Sequence, residues 1–198
     1  MKTAIIGGGA AAFFTAINTK ENFPNSEVVI FEKTKKLLSK VLVSGGGRCN
    51  LTNSETSIST FSKHYPRGEK QLKKLFRTFN NQDTKNWFEI RGVELVTEQD
   101  GRMFPKSNTS QTIYDFFLHE SEKLGIKIKL KSGVNSIKQV GEKIILELNG
   151  QNLLFDKVIA CTGGSPKLEG FNWIKNLGHK IENPVPSLFT FNIPNEKI

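Results

Sequence analysis

An α/β fold built on a central parallel sheet is what this sequence predicts, on three observations. Lys2-Thr3-Ala4-Ile5-Ile6 reads as a short buried strand that runs straight into a glycine turn and the start of a helix. Val28-Val29-Ile30-Phe31 reads as a second buried strand, ending at Glu32. After residue 125 the pattern changes to strand-like alternation, closed by the apolar run Lys157-Val158-Ile159-Ala160, which stops at glycines. Strand, glycine turn, helix and strand is the order of a Rossmann-like nucleotide-binding unit, and the later alternation reads as a β-meander.

In Gly7-Gly8-Gly9-Ala10-Ala11-Ala12 the pattern G-x-G-x-x-A is met by Gly7, Gly9 and Ala12. Gly7 allows the tight turn off the strand, Gly9 lets a pyrophosphate approach the backbone, and Ala12 keeps the helix near the sheet. The free N–H groups of the helix start, around Ala10 and Ala11, face the anion. The helix is expected from residue 9 to about residue 20, with Ala10, Phe13, Phe14 and Ile17 on its apolar face. Three glycines can simply be a bend, so context decides. Glu32 supplies it: an acid at the end of the second strand, about 20 residues past the turn, accepts hydrogen bonds from a ribose hydroxyl. Its charge also repels a 2′-phosphate, which argues against an NADP-type ligand at this position. Lys33 beside it is a further candidate contact.

The next informative stretch is Lys40-Val41-Leu42-Val43-Ser44-Gly45-Gly46-Gly47-Arg48-Cys49-Asn50-Leu51-Thr52-Asn53. Three consecutive glycines among Ser, Arg, Asn and Thr make a poor core and a good cradle. Gly45, Gly46 and Gly47 expose N–H groups, Arg48 adds a fixed cation, and Lys40, Ser44 and Asn50 flank the loop. Cys49 has no His or second Cys nearby to activate it, so it reads as a packed or cofactor-facing thiol.

The opening G-G-G-A-A-A together with S-G-G-G-R-C-N-L-T-N resembles the signature of the YhiN/BaiN-type FAD-dependent oxidoreductases, bacterial flavoproteins of the glutathione-reductase-like class. The resemblance covers essentially the whole chain. It implies an FAD/NAD(P)-binding Rossmann-like domain with FAD as cofactor and NAD(P)H as a possible co-substrate. Gly45 to Asn50 would lie toward the pyrophosphate and flavin. Thr162, Gly163 and Gly164, in an element resembling the family's A-T-G-G, would close the pocket, and Val134 would meet the adenine through its backbone. Gly101-Arg102-Met103-Phe104-Pro105 matches the family's G-R-x-F-P. Two readings of Arg102 stay open, a contact to flavin or an anionic substrate group, and a turn arginine paired with a neighbouring acid. After Pro166 the sequence Lys167-Leu168-Glu169-Gly170-Phe171 departs from the family's Ser-Thr-Gly-rich turn.

Between these motifs the chain reads as helix and loop. Leu72, Leu75, Phe76 and Phe79 form a helical stripe. Asp83 is expected to cap a helix holding Trp87, Phe88 and Ile90, aromatics read as core. A short strand over Glu94 to Thr97 follows, and Ser110 is expected to cap the helix Gln111 to Leu124, ended by Gly125. Strands are expected over 126–130, 134–140, 143–148 and 152–155, turned by Gly141-Glu142 and Asn149-Gly150. His64, His119 and His179 read as loop, structural and helix-end residues. A last helix is expected from Asn172 to Leu177.

Composition is that of a globular protein, without an apolar run long enough to span a membrane and without a signal peptide. The two cysteines, Cys49 and Cys161, lie far apart and argue against a disulfide framework, a zinc site and a dithiol centre. A reducing cytoplasm is the expected compartment. The net charge of +9 reads as a solvated basic surface, because no arginine block or aromatic platform stands out in the sequence. The expected partner is a small-molecule substrate. An RNA-associated, non-catalytic module is kept as the alternative, with Lys127, Lys129 and Lys131 as its test positions. Residues 1–186 are expected to form the FAD-binding domain and 187–198 to open a substrate-side insertion. By the family's pattern the domain is C-terminally truncated, and an inactive fragment is the third reading.

Overall fold

The computed structural model describes residues 1–165 and 168–185. The expected insertion at 187–198 and Lys167, the first residue of the departure, lie outside them. The chain opens with β1 (Lys2–Ile6), α1 (Ala10–Asn22) and β2 (Glu27–Phe31). A short helix α2 (Ser39–Val43) and a 3-10 turn at Ser44–Gly47 carry the second glycine motif to β3 (Thr52–Asn53). Three helices follow, α3 (Ile58–Lys63), α4 (Glu69–Leu75) and α5 (Asn81–Glu89), then β4 (Leu95–Thr97) and β5 (Arg102–Pro105). Helix α6 (Gln111–Lys123) returns the chain to the sheet at β6 (Lys127–Lys129). The meander is β7 (Val134–Val140), β8 (Lys143–Leu148) and β9 (Gln151–Phe155), and β10 (Lys157–Ala160) follows. A 3-10 turn at Leu168–Phe171 leads to α7 (Asn172–Lys175).

The main sheet has the order β10-β1-β2-β6, with every pair parallel. Because side chains alternate across a strand, its two faces have separate duties. Ile5, Val28 and Ile30 point to one face and pack with Phe13 and Ile17 of α1, Trp87 and Phe88 of α5, and Ile113 and Phe117 of α6. Ala4, Ile6, Val29 and Phe31 point to the other and pack with Leu146, Leu148 and Phe155 of the meander. The result is three layers, helices, parallel sheet and antiparallel meander. A second antiparallel sheet, β3-β5-β4, packs Leu95 against the helical side of the core.

Packing rather than propensity holds α1. Its sequence includes Thr15, Ile17, Thr19 and Asn18, each costing a few tenths of a kcal/mol relative to Ala. Phe13 and Ile17 are fully buried, which stabilises by about 2–3 kcal/mol apiece. Ala10, expected on the apolar face, is exposed at the helix start, and Ala12 and Ala16 take that face with Phe13 and Ile17.

Several boundaries differ from the sequence reading for identifiable reasons. Asn80, not Asp83, caps α5: its side-chain oxygen accepts the N–H groups of Gln82 (2.7 Å) and Asp83 (3.2 Å). Asp83 completes a capping box by accepting the Asn80 N–H at 2.8 Å. Ser110 precedes α6 without capping it, because its hydroxyl donates to the Leu42 carbonyl at 2.9 Å. The Leu72 stripe breaks where α4 ends at Leu75, leaving Leu75 and Phe79 exposed, and Ile90 lies exposed past α5. Gly101 to Pro105, expected as a connection, is largely strand β5. The last helix is shorter than expected and turns after Lys175. Among the described residues no helix is long and apolar enough to cross a membrane.

Candidate functional site

The first glycine turn is fixed from three sides. Gly7 has φ +112°, and a Cβ there would lie 2.4 Å from the Cys161 carbonyl oxygen, where the chain leaves β10. Its N–H donates to the Phe31 carbonyl at 2.8 Å, tying the turn to the end of β2. The Gly8 N–H donates to Glu32 Oε2 at 2.7 Å, and the Gly8 carbonyl accepts the Leu38 N–H at 2.8 Å. Gly9 differs: a Cβ there would meet nothing within 4 Å. Helix α1 therefore starts beneath open space, without a side-chain cap and without an acid in its first turn. Its amide dipoles leave a partial positive charge at that end.

Glu32 stands at the edge of this space. Its Oε1 accepts the Thr34 N–H at 2.8 Å while Oε2 holds Gly8. A carboxylate offers about four acceptor positions, so two remain for hydroxyl groups without disturbing the turn. A cavity of about 210 Å³ lies here, and Gly7, Glu32, Lys33, Val134 and Thr162 all border it. Gly133 and Trp173 border it too, and the sequence reading passed over both. A Cβ on Gly133 would lie 3.3 Å from Lys33 Cβ, a close approach of two loops that only the fold creates. Trp173 carried no sequence signal either, because it reaches the cavity from α7, an element outside the glycine motifs.

On the other side of the α1 start lies a second cavity of about 420 Å³. Ala10, Ala11, Lys40, Ser44, Cys49 and Asn50 border it, joined by Thr84 and Phe79, which no motif marked. Lys40 also reaches toward the turn after β10: a Cβ on Gly163 would lie 3.7 Å from its ammonium nitrogen. The second glycine loop is left-handed at Gly45, Gly46 and Gly47. A Cβ on Gly45 would press within 2.7 Å of the Asn50 nitrogen, whereas Gly46 and Gly164 face open space.

Cys49 is buried and left-handed at φ +61°. Burial raises its thiol pKa, with a Ser44 hydrogen bond partly opposing, so it carries no reactive thiolate at neutral pH. Burial likewise raises Cys161, whose sulfur lies 3.9 Å from the Thr15 hydroxyl. The two arginines are engaged. Arg48, expected as a cation beside the loop, pairs with Glu98 at 2.6 Å and stacks 4.0 Å over Phe104. Arg102 pairs with Asp100 (2.7 Å) and Glu98 (3.2 Å). Trp87 is buried among Phe14, Phe88, Phe116 and Phe117, within the core. Among the described residues no group of His, Cys, Asp or Glu is arranged to hold a metal. An anion-ready helix start, open space over Gly9 and an acid with spare acceptor capacity fit the ADP half of a dinucleotide.

Comparison with known proteins agrees with this geometry. The chain is 25% identical to the 3-dehydro-bile acid delta(4,6)-reductase of Clostridium scindens, over 97% of this chain and 47% of that protein. It is 29% identical to the ribosomal RNA dihydrouridine synthase of Haemophilus influenzae, over 81% of this chain and 39% of that one. It thus spans half or less of the length of these relatives. Among solved structures, E. coli quinol fumarate reductase FrdA superposes with a TM-score of 0.62 at 14% identity, over 84% of this chain and 33% of that one. Thermovibrio ammonificans THI4 superposes at 0.59 with 12% identity, over 90% and 63%. At such identities these two establish the Rossmann fold alone. The HI0933-like protein Rossmann domain matches residues 1–185, nearly the whole chain. The chain therefore belongs to the HI0933-like family, the YhiN/BaiN-type group that its two glycine motifs resemble.

Proposed function

We propose that this chain is the FAD-binding part of an oxidoreductase that saturates a carbon–carbon double bond conjugated to a carbonyl group. The observation that carries the reading is the pair of cavities at the α1 start, one bordered by Gly7 and Glu32 and the other by Ala10 and Ala11 with Ser44, Cys49 and Asn50 of the second glycine motif. In this reading the ADP half lies along Gly7, Gly9, Glu32, Lys33 and Val134. Glu32 accepts the ribose hydroxyls, and the α1 start faces the pyrophosphate. Lys40 adds a full cation beside the turn after β10. Ala10, Ala11, Ser44, Gly45 to Asn50 and Thr162 to Gly164 surround the flavin half, and Cys49 packs there as a neutral thiol. Bound here, FAD supplies the hydride chemistry, and the chain's own residues bind it, orient it and exclude water.

Family membership supports the cofactor. The relatives support the type of bond, since a delta(4,6)-reductase and a dihydrouridine synthase both add hydrogen across a carbon–carbon double bond. NAD(P)H is the proposed electron source, residues 1–186 the proposed cofactor domain and the cytoplasm the proposed compartment. The test is titration of the chain with FAD, followed by quenching of flavin fluorescence. Saturable binding is expected, with loss in Gly9→Glu, whose side chain would occupy the open space with the wrong charge. A native chain that leaves flavin fluorescence unchanged would sink the proposal. Consumption of NADH or NADPH by the flavin-loaded protein tests the electron source.

A further inference from the structure

The first cavity has borders that no motif supplies. Beyond Glu32 and Lys33, two further stretches line it: the start of β7, and the segment carrying Gly170 and Trp173. The 3-10 turn Leu168–Phe171 that leads to Trp173 lies in the stretch that departs from the family's Ser-Thr-Gly-rich turn. A Cβ on Gly170 would run into the Ser165 side chain, so the turn closes tightly there. Neither this turn nor α7 holds a buried residue. Trp173 is half-buried, and among the described residues its indole has neither a ring partner nor a hydrogen-bond acceptor. It also borders a cleft of about 300 Å³ with Ile144, Val158 and Leu177. The chain's other tryptophan, Trp87, is packed among the rings of Phe14, Phe88, Phe116 and Phe117. A large ring with open space at two places is weakly stabilised by its own fold, because its stabilisation comes from packing and from aromatic neighbours.

The register of β7 on β8 slips beside the same cavity. Val134 pairs with Leu148 and Ser136 with Glu147, so Asn135 is the extra residue of a β-bulge. A bulge re-aims one side chain while giving up a ladder position. Here that side chain is an exposed amide at the cavity edge, without a hydrogen bond to any described residue. Its neighbours are committed: the Ser136 hydroxyl donates to Glu147 at 2.8 Å, and the Ser132 hydroxyl to the Leu130 carbonyl at 3.0 Å. Asn80 and Asn81 make the contrast. They border a cavity of about 410 Å³ that lies against the rings of Phe61, Tyr65 and Phe76 and shares Asn50, Leu51, Phe79 and Thr84 with the cavity beside the second glycine loop. Asn80 caps α5, and Asn81 donates to the Asn53 and Glu55 carbonyls at 2.7 and 2.6 Å.

We propose that Trp173 and Asn135 form a clamp for the adenine base of the cofactor, the indole stacking on the ring and the amide reading its edge. The clamp rests on the FAD-binding reading and adds side-chain recognition to the backbone contact expected at Val134. A ribose held by Glu32 delivers its base into the cavity that Val134, Asn135 and Trp173 border. An amide offers a donor and an acceptor side by side, and adenine presents an acceptor ring nitrogen beside a donor amino group. A purine with a carbonyl in place of that amino group puts an acceptor where the amide needs a donor. Stacking on an aromatic face tolerates any base, so Trp173 supplies affinity and Asn135 supplies base preference.

The test is titration of the full chain with ADP, which carries the base without the flavin, followed by tryptophan emission. Trp87 and Trp173 are the chain's two tryptophans. Saturable quenching is expected, with its loss in Trp173→Phe, in which only Trp87 emits. By calorimetry Trp173→Ala should bind ADP and FAD about tenfold more weakly, whereas Trp173→Phe, whose ring still stacks, should stay within about threefold of the native chain. Asn135→Ala should shrink the preference for ADP over inosine diphosphate about fivefold. Circular dichroism checks that each variant folds. Equal ADP affinity in the native chain and Trp173→Ala, or an unchanged ratio of ADP to inosine diphosphate affinity in Asn135→Ala, overturns the clamp while FAD binding stands. ADP binding without flavin binding removes the FAD reading and leaves an adenine-nucleotide clamp, and a chain that binds neither loses both.

Discussion

A methyl group on Gly7 would press against the Cys161 carbonyl in a left-handed backbone, whereas one on Gly9 would touch nothing within 4 Å. Gly7→Ala should therefore destabilise the fold by about 3 kcal/mol in urea unfolding. Gly9→Ala should cost less than about 1 kcal/mol there and act chiefly on ligand affinity. Glu32→Ala leaves the Gly8 N–H without its partner and should weaken FAD binding by about 10- to 100-fold, read by the same fluorescence titration. The thiols make a separate prediction. Burial raises Cys49 above its unfolded value of about 8.5, so its contribution to stability is complete below that pH and is lost as pH rises through the folded value. Unfolding curves of Cys49→Ala should accordingly fall less steeply above that pH than those of the native chain. At this scale much was legible, because Gly7, Gly9 and Glu32 act through backbone geometry and local spacing. Arg48 was not, since Glu98, which pairs with it, is positioned by the β4-β5 hairpin, whereas for Arg102 the pairing with a neighbouring acid, Asp100, was one of the two readings left open.

Among the elements, α5 shows where local signals compete. Asn80 and Asp83 are both good capping residues three apart, and only the reciprocal hydrogen bonds decide which caps and which closes the box. Asn80→Ala should lower stability by about 1 kcal/mol, measured by chemical denaturation, with the Leu38 and Gly8 contacts at the glycine turn unaffected. Ser110 failed as a cap for a tertiary reason, because Leu42 claims its hydroxyl. The meander, by contrast, was legible in full, since its alternation and its Gly141 and Asn149-Gly150 turns are local. Asp156 joins that meander to β1, accepting the Lys2 N–H at 2.6 Å and pairing with Lys143. Chiefly the Lys143 ammonium holds its carboxyl below the usual range. A depressed carboxyl stabilises above its unfolded pKa of about 3.9 and loses that contribution as pH falls through the folded value. Asp156→Asn should flatten the acid limb of the stability profile below about pH 4.

For the whole molecule, the three-layer order followed from strands that were apolar on both faces, Ala4-Ile5-Ile6 and Val28-Val29-Ile30-Phe31. The aromatic cluster of Phe61, Tyr65 and Phe76 did not follow, because these rings are brought together only by the packing of α3 on α4. Saturating FAD should raise unfolding stability by about 2.7 kcal/mol when present at a hundred times its dissociation constant, visible as a higher Tm. The wall shared by the cavity beside the second glycine loop and the adjoining aromatic cavity, Asn50, Leu51, Phe79 and Thr84, has a thermodynamic consequence. Whatever position these side chains adopt to receive one guest is the position the other guest meets. The two affinities are then linked by a single coupling factor that must be the same in both directions. If a ligand in the aromatic cavity tightens flavin binding threefold, flavin must tighten that ligand threefold, and Phe79→Ala should bring both ratios toward one.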